Sequence, residues 1–142
     1  MRNNNQAEPA SSSAVTAFQP SPEEYKRRRQ ALLDLLPRGS VAIFPAADAK
    51  LRNGDDSHYL YRQSSEVLYL TGFPEDEAVL VLTKVSDNGQ GQFLLFVKER
   101  DPQEEQWNGK RIGIAESRSR FGADQVVDTR KFESQLPCIL RQ

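Results

Sequence analysis

The chain has 142 residues, of which 19 are basic and 20 acidic, so its formal net charge is −1, and it has a single cysteine, Cys138. Near-zero charge excludes a global field for binding nucleic acid or an anionic membrane surface. One cysteine excludes an internal disulfide and a thiolate zinc cluster. The length suits one domain with a buried core, and we expect a reduced, cytoplasmic protein.

The first twenty residues are rich in Asn, Ser, Ala and Pro, a composition that predicts a disordered tail over residues 1–20. They contain no apolar stretch flanked by basic residues, so no secretory signal is expected. The longest apolar runs, such as AVLVL at 78–82, are far shorter than the roughly 20 residues needed to cross a bilayer. We expect one folded domain over residues 21–142.

The sequence SPEE at 21–24 predicts the start of a helix, because Ser21 can accept a hydrogen bond from the Glu24 amide. The helix is expected to end near Pro37. Its predicted apolar face consists of Tyr25, Leu32, Leu33, Leu35 and Leu36. The basic run KRRR at 26–29 is interpreted as mostly solvated, rather than as a nucleic-acid contact, because the total charge is near zero.

Three strands and one ambiguous segment follow. VAIF at 41–44 is apolar throughout, which predicts a strand covered on both faces. SSEVLYLTG at 64–72 fits a helix or a strand by periodicity, and its serine cap and terminal glycine favour a short helix. AVLVLTKV at 78–85 and QFLLFVK at 92–98 predict an antiparallel hairpin at the centre of the sheet, with Asn88 and Gly89 in the turn.

The last third of the chain alternates helix and strand signals. DPQEEQW at 101–107 begins with an aspartate cap followed by proline, which predicts one or two helical turns. AESRSRF at 115–121 predicts a short helix, QVVD at 125–128 a strand, and TRKFESQL at 129–136 the start of a final helix. The alternation predicts an α/β fold, a mixed β-sheet flanked by helices.

The sequence contains few candidate catalytic side chains. Asp55, Asp56 and the sole histidine, His58, could form a local cluster, but three ligands from one loop would be poorly preorganised, and a solvent-facing loop is the preferred interpretation. Cys138 lies between Pro137 and Ile139 and is interpreted as a core residue. The chain has no G-x-S-x-G elbow and no phosphate-binding glycine motif. We therefore assign no catalytic residue and no metal ligand.

Two segments are not explained by core packing alone. In YLYRQSSEVLYLTGF at 59–73, Arg62 and Gln63 supply several N–H donors beside aromatic residues. In ERDPQEEQWNGKRIG at 99–113, the only tryptophan, Trp107, lies in a polar loop that contains glycine. Such an aromatic side chain is a frequent anchor for a ligand or a subunit, but it could equally cover the edge of the sheet.

Together these segments resemble the N-terminal domain of aminopeptidase P, the Xaa-Pro aminopeptidase of bacterial type, in the creatinase and prolidase superfamily. The motifs are EYKRRRQALL, YRQSSEVLYLTGF with a following acidic turn and AVLVL, and RDPQEEQWNGKRIG, in this order. The resemblance runs from about Glu24 to the C-terminus. It implies a mixed sheet flanked by helices, of ribonuclease H-like architecture.

The resemblance also implies that the chemistry belongs to another domain. In the family, a C-terminal pita-bread domain holds two manganese ions on aspartate, histidine and glutamate ligands and removes the first residue of peptides whose second residue is proline. None of those ligand motifs occurs here, so the catalytic domain is expected to be absent and the chain inactive alone. The implied partners are that catalytic domain, neighbouring subunits of a homo-oligomer and a proline-containing peptide.

Residue roles follow from the matching motif positions. Trp107, Gly109 and Arg111 match a W-x-G-x-R motif that the resemblance places at an interface gating a neighbouring subunit's substrate cleft. His58 inherits no role. Arg62 is expected to hold its loop to the domain, so that Arg62→Ala would destabilise the fold. The residues expected to give structural support are Tyr61, Arg62, Gln63, Arg100, Asp101 and Glu105.

Two other functions stay open at this point. The first is a free-standing interaction module that reuses the fold and binds a protein partner through the Trp107 loop, without peptidase activity. The second, ranked last, is an independent hydrolase centred on His58. The sequence encoded beyond Gln142 would discriminate the peptidase from the module.

Overall fold

The computed structural model describes residues 19–50, 59–85 and 90–142. In chain order the elements are α1 (Pro22–Leu35), β1 (Ser40–Pro45), α2 (Ser65–Thr71), β2 (Val79–Lys84), β3 (Gly91–Val97), α3 (Pro102–Asn108), α4 (Gly113–Phe121), β4 (Gln125–Asp128), a 3-10 turn (Thr129–Lys131) and α5 (Phe132–Leu140). The predicted α/β fold is confirmed, and so is the short helix at the ambiguous segment. No helix in the described ranges is long and apolar enough to cross a membrane.

The four strands form one mixed sheet in the order β1, β2, β3, β4. The first three are antiparallel neighbours, and β4 pairs parallel to β3. The central β2–β3 hairpin is as predicted, whereas its turn residues Asn88 and Gly89 lie outside the described ranges. A parallel neighbour requires a crossover. That crossover carries α3 and α4, and therefore also the tryptophan segment.

The core has two layers, one on each face of the central strands. On one face, Leu80, Leu82 and Leu95 pack with residues of α1 and α2 such as Leu33 and Val67. On the other face, buried Val81, Leu94 and Phe96 pack with Ile139 of α5. Burial on both faces explains why β2 and β3 contain the continuous apolar runs VLVL at 79–82 and FLLFV at 93–97 rather than an alternating pattern.

Strand β1 is not covered on both faces, contrary to what its composition predicted. It lies at the edge of the sheet, and Ile43 is 38% exposed. An uninterrupted apolar run is typical of a strand with two covered faces, but four residues are too few to distinguish that case from an edge strand. The prediction of a strand was right, and the prediction of cover on both faces was wrong.

Two predictions on the first helix also need correction. Leu35, expected on the apolar face, is 83% exposed. Arg29, expected among mostly solvated basic residues, is 6% exposed. Its Nη1 donates to the Leu70 carbonyl oxygen at 2.9 Å, and its guanidinium carbon lies 4.2 Å from the centre of the Phe93 ring. The guanidinium thus ties α1 to the end of α2 and to the sheet.

The cysteine is likewise not a core residue. Cys138 is exposed, whereas its neighbour Ile139 is 5% exposed. Adjacent side chains on a helix point in directions about 100° apart, so an apolar neighbour does not bury a residue.

Candidate functional site

Gln63 is the hub of the first motif. It is buried, and its Oε1 accepts hydrogen bonds at 2.9 Å from the amides of Ala47 and Ser64. Its Nε2 donates to the carbonyl oxygens of Phe73 at 3.1 Å and Glu75 at 2.7 Å. One side chain therefore joins the end of β1, the start of α2 and the turn before β2.

Tyr61 belongs to the same hydrogen-bond network as Gln63. Its hydroxyl donates to the Ala47 carbonyl oxygen at 2.8 Å and lies 2.9 Å from Gln63 Oε1. Burial, with a smaller contribution from Asp76, raises the pKa of the Tyr61 hydroxyl to about 12. The hydroxyl therefore stays protonated and remains a donor throughout the physiological pH range.

Arg62, between these two residues, is exposed and has no hydrogen bond or ion pair with the described part of the chain. The contacts that the sequence-based reasoning gave to Arg62 are made by Gln63 and Tyr61. Gln63, which was also expected to give structural support, suits this role because its amide both donates and accepts hydrogen bonds, whereas an arginine only donates.

Helix α2 places the hub relative to the next turn. The helix begins where Ser64 Oγ accepts from the Val67 amide and ends at Gly72, whose φ of 71° is left-handed. A Cβ at Gly72 would lie 2.6 Å from the Tyr25 hydroxyl oxygen. The glycine is therefore required both by its backbone conformation and by the close approach of α1.

The tryptophan lies on a helix that has no buried residue. α3 begins where the Asp101 carboxylate accepts from the Gln103 amide at 2.9 Å, as its sequence predicted. Trp107 is 87% exposed, so it does not cover the edge of the sheet. Gly109, with φ of 83°, turns the chain away after the helix.

Two basic side chains, those of Lys98 and Arg100, form ion pairs with this helix. The Arg100 guanidinium donates to both carboxylate oxygens of Glu105, at 2.8 and 3.0 Å. Lys98 Nζ lies 2.8 Å from a Glu104 oxygen and 3.0 Å from a Glu77 oxygen. The hydrogen bonds from Arg100, with that from the Arg111 amide, lower the pKa of Glu105 to about 2.

Arg111 reaches back to the turn before β2. Its Nη2 donates to the Asp76 carboxylate at 2.7 Å, and its Nη1 donates to the Asp76 carbonyl oxygen at 3.3 Å. The next amide, that of Ile112, donates to the Glu75 carboxylate at 3.1 Å. Burial raises the pKa of Glu75 above its ordinary value. The acidic turn at 75–77 is thus part of the site, although sequence reasoning gave its residues no role.

The two motifs meet at one surface depression of about 750 Å³. Tyr59 and Tyr61 line it from the first motif, and Trp107, Gly109 and Arg111 line it from the second. The acidic turn forms the floor between them. The structure therefore brings Tyr61 of the first motif together with Trp107, Gly109 and Arg111 of the second. The other predicted site residues, Arg62, Gln63, Arg100, Asp101 and Glu105, do not line the depression.

No group of three or more His, Cys, Asp or Glu side chains within residues 19–50, 59–85 and 90–142 is placed to hold a metal ion. The predicted loop cluster of Asp55, Asp56 and His58 lies outside the described residues. The carboxylates of the acidic turn are engaged by Arg111, Lys98 and the Ile112 amide, which leaves them poorly suited to a two-metal site.

Known proteins resemble this chain over most of its length. The family model described as "Aminopeptidase P, N-terminal domain" matches residues 25–142. The Xaa-Pro aminopeptidase of Escherichia coli (strain K12) is 41% identical over 116 residues, which are 82% of this chain and 26% of the relative. The mitochondrial intermediate cleaving peptidase 55 of Arabidopsis thaliana is 34% identical over 119 residues, 84% of this chain and 23% of the relative.

Solved structures agree in fold. A zinc-substituted E. coli aminopeptidase P in complex with product superposes with a TM-score of 0.81 at 38% identity, covering 86% of this chain and 27% of that one. Proline aminopeptidase P II from Yersinia pestis gives 0.79 at 38% identity, covering 84% and 27%. The chain thus spans about a quarter of the length of the curated relatives described above. It belongs to the aminopeptidase P family and comprises that family's N-terminal domain.

Proposed function

We propose that this domain serves a Xaa-Pro aminopeptidase as a non-catalytic unit that presents Trp107 to the substrate cleft of a neighbouring subunit and limits access to it. The observation that carries the proposal is the 87% exposure of Trp107 on a helix held in place by ion pairs. Tryptophan is enriched among the residues that dominate interface energies, because it buries a large area with few rotatable bonds.

The proposal places the reaction outside this chain. The two manganese ions implied by the resemblance would be bound by another domain, where they would supply an activated water for peptide hydrolysis. The residues described here do not fit such a centre, because the clustered carboxylates at 75–77 already accept hydrogen bonds from the domain's own groups. Their role is to support the helix that carries Trp107 and the segment that follows it.

Two further features belong to the proposal. A homo-oligomer is supported by the aromatic composition of the depression, where Tyr59 and Trp107 are both largely exposed. A cytoplasmic location is supported by the single, exposed cysteine, Cys138, which would be a reactive group in an oxidising compartment.

A chimaera tests the proposal. Residues 25–142 would replace the matching segment of the E. coli Xaa-Pro aminopeptidase, and we expect the product to hydrolyse Xaa-Pro peptides with that relative's oligomeric state. Trp107→Ala in this chimaera is expected to lower kcat/KM about ten-fold, because the neighbouring cleft would lose the side chain that shapes it for the peptide, a contact of about 1.4 kcal/mol.

The matched control is Leu35→Ala, because Leu35 is 83% exposed but lies on α1 and does not line the depression. It should leave kcat/KM unchanged. Equal kcat/KM for the Trp107→Ala chimaera and its parent would refute the proposed gating role. The 142-residue chain alone, assayed with manganese and a Xaa-Pro peptide, is expected to show no turnover, and turnover would refute its assignment as non-catalytic.

A further inference from the structure

The position of α3 is set by polar contacts rather than by the core. The helix has seven residues and none of them is buried. Isolated helices shorter than about 12 residues are marginal in water, so this one depends on its attachments. Lys98 and Arg100 attach it through Glu104 and Glu105, which precede Trp107 in the chain.

The chain after Trp107 needs a separate attachment. Gly109 has φ of 83°, and a Cβ placed there would meet nothing within 4 Å, so the backbone is not constrained by packing at this point. Glycine at such a position allows the chain to pivot. The next contact along the chain that joins this segment to another element is made by Arg111.

Arg111 joins two otherwise separate parts of the site. Its amide donates to Glu105 of α3 at 3.2 Å, and its guanidinium donates to the side chain and the carbonyl of Asp76. The turn that contains Asp76 is itself fixed, because Gln63 in the core donates to the Glu75 carbonyl at 2.7 Å. A continuous series of hydrogen bonds therefore runs from the core to the helix that carries Trp107.

We propose that Arg111 is a positioning residue for Trp107, with its guanidinium committed to the domain's own acidic turn rather than to a neighbouring subunit. The W-x-G-x-R spacing then acquires a physical meaning: the tryptophan is displayed, the glycine allows the turn and the arginine fixes it. The inference depends on the proposed function only for its effect on peptide hydrolysis. Its structural part concerns this chain alone.

The test uses Trp107 as its own probe, because it is the only tryptophan in the chain. Time-resolved fluorescence anisotropy would report its local motion on the nanosecond scale. We expect Arg111→Ala to raise the amplitude of that motion about two-fold, since loop segments move on this timescale when they are released. Arg111→Lys should give an intermediate value, because lysine can keep the contact with the carboxylate but not the paired geometry of the guanidinium.

The control is Arg27→Ala, which removes a guanidinium that donates to both carboxylate oxygens of Glu24, at 2.7 and 2.8 Å, on α1 and outside the depression. It should leave the anisotropy of Trp107 unchanged. An Arg111→Ala protein that is folded by circular dichroism but has the parent anisotropy would overturn the proposal. If Arg111→Ala fails to fold, the same measurement is made on Asp76→Ala, which removes the acceptor of the Arg111 Nη2 hydrogen bond. A raised amplitude then supports the proposal and the parent amplitude overturns it.

The chimaera separates this inference from the proposed function. There, Arg111→Ala is expected to raise KM about three-fold or more while kcat is retained, with partial recovery in Arg111→Lys. Increased Trp107 motion with unchanged kinetic constants would support the positioning role and refute the gating function. Unchanged motion would refute the positioning role whatever the kinetic result.

Discussion

The two halves of the depression are built on different physical principles. On one side, the lining residue Tyr61 is backed by Gln63, which is 8% exposed and makes its hydrogen bonds inside the domain. On the other side, α3 has no buried residue and is held by ion pairs near the surface. The difference shows that the segment around Gln63 is held by buried hydrogen bonds. The helix that presents Trp107 is instead held by ion pairs, which salt and pH can weaken.

The largest expected effect is the loss of stability when the hydrogen bonds of Gln63 are removed. Gln63→Ala would leave buried amide and carbonyl groups of several segments without partners, and we expect it to lower the free energy of unfolding by about 3 kcal/mol. Denaturant unfolding would measure this. Arg62→Ala is the adjacent control, and because Arg62 is exposed, its effect should stay within about 0.5 kcal/mol. A larger loss for Arg62→Ala than for Gln63→Ala would reverse the assignment.

A second pair of variants separates the close contact at Gly72 from the cost of its left-handed backbone. Gly72→Ala would meet both a left-handed φ and the Tyr25 hydroxyl 2.6 Å away, so we expect a loss of about 2 kcal/mol or more. Gly122→Ala, at the end of α4, would meet only the left-handed backbone, with φ of 66° and ψ of 29° in open space, for a loss of about 1 kcal/mol. Thermal melting of the two proteins would rank them. Equal losses would mean that contact with α1 does not constrain Gly72.

The smallest expected effect is that of pH on the helix that carries Trp107. The Arg100 guanidinium and the Arg111 amide hold the pKa of Glu105 at about 2, below its ordinary value of 4.5, and Lys110 adds to this. A lowered folded-state pKa means that the contribution of Glu105 to stability is present above pH 4.5 and is lost as pH falls towards 2. The anisotropy of Trp107 should therefore decrease over that range.

The control for the pH effect is Glu105→Gln, which should remove most of the change in anisotropy between pH 4.5 and 2. Glu75 acts in the opposite direction, because burial raises its pKa and its contribution to stability is lost as pH rises through that value. A Trp107 anisotropy that stayed constant down to pH 2 in the parent protein would show that the Glu105 contacts do not hold α3.

Much of the fold was predictable because its signals are local. The Ser21 and Asp101 caps, the short helix between Ser64 and Gly72 and the two apolar strands each depend on residues within a few positions of one another. Cap hydrogen bonds span two or three residues, so the order of residues fixes them almost independently of the rest of the chain.

The candidate site was predictable as two segments but not as one surface. Trp107 and Tyr61 were both singled out from the sequence, yet their meeting at one depression requires the β3–β4 crossover to pass over the turn before β2. The turn at 75–77 was missed as a participant, because a run of acidic residues in a loop is more often solvated than structural.

The sequence by itself determined the order and approximate positions of the helices and strands, and which residue types stand at the motif positions. Only the tertiary structure decided which charged side chains point inward: Arg29 is buried and bonds to Leu70, 41 residues away, Arg111 bonds to Asp76, 35 residues away, and Arg62 faces solvent. The physical reason is that an arginine is buried only where acceptors and apolar surface from distant segments converge on it, and that convergence is a property of the packed chain.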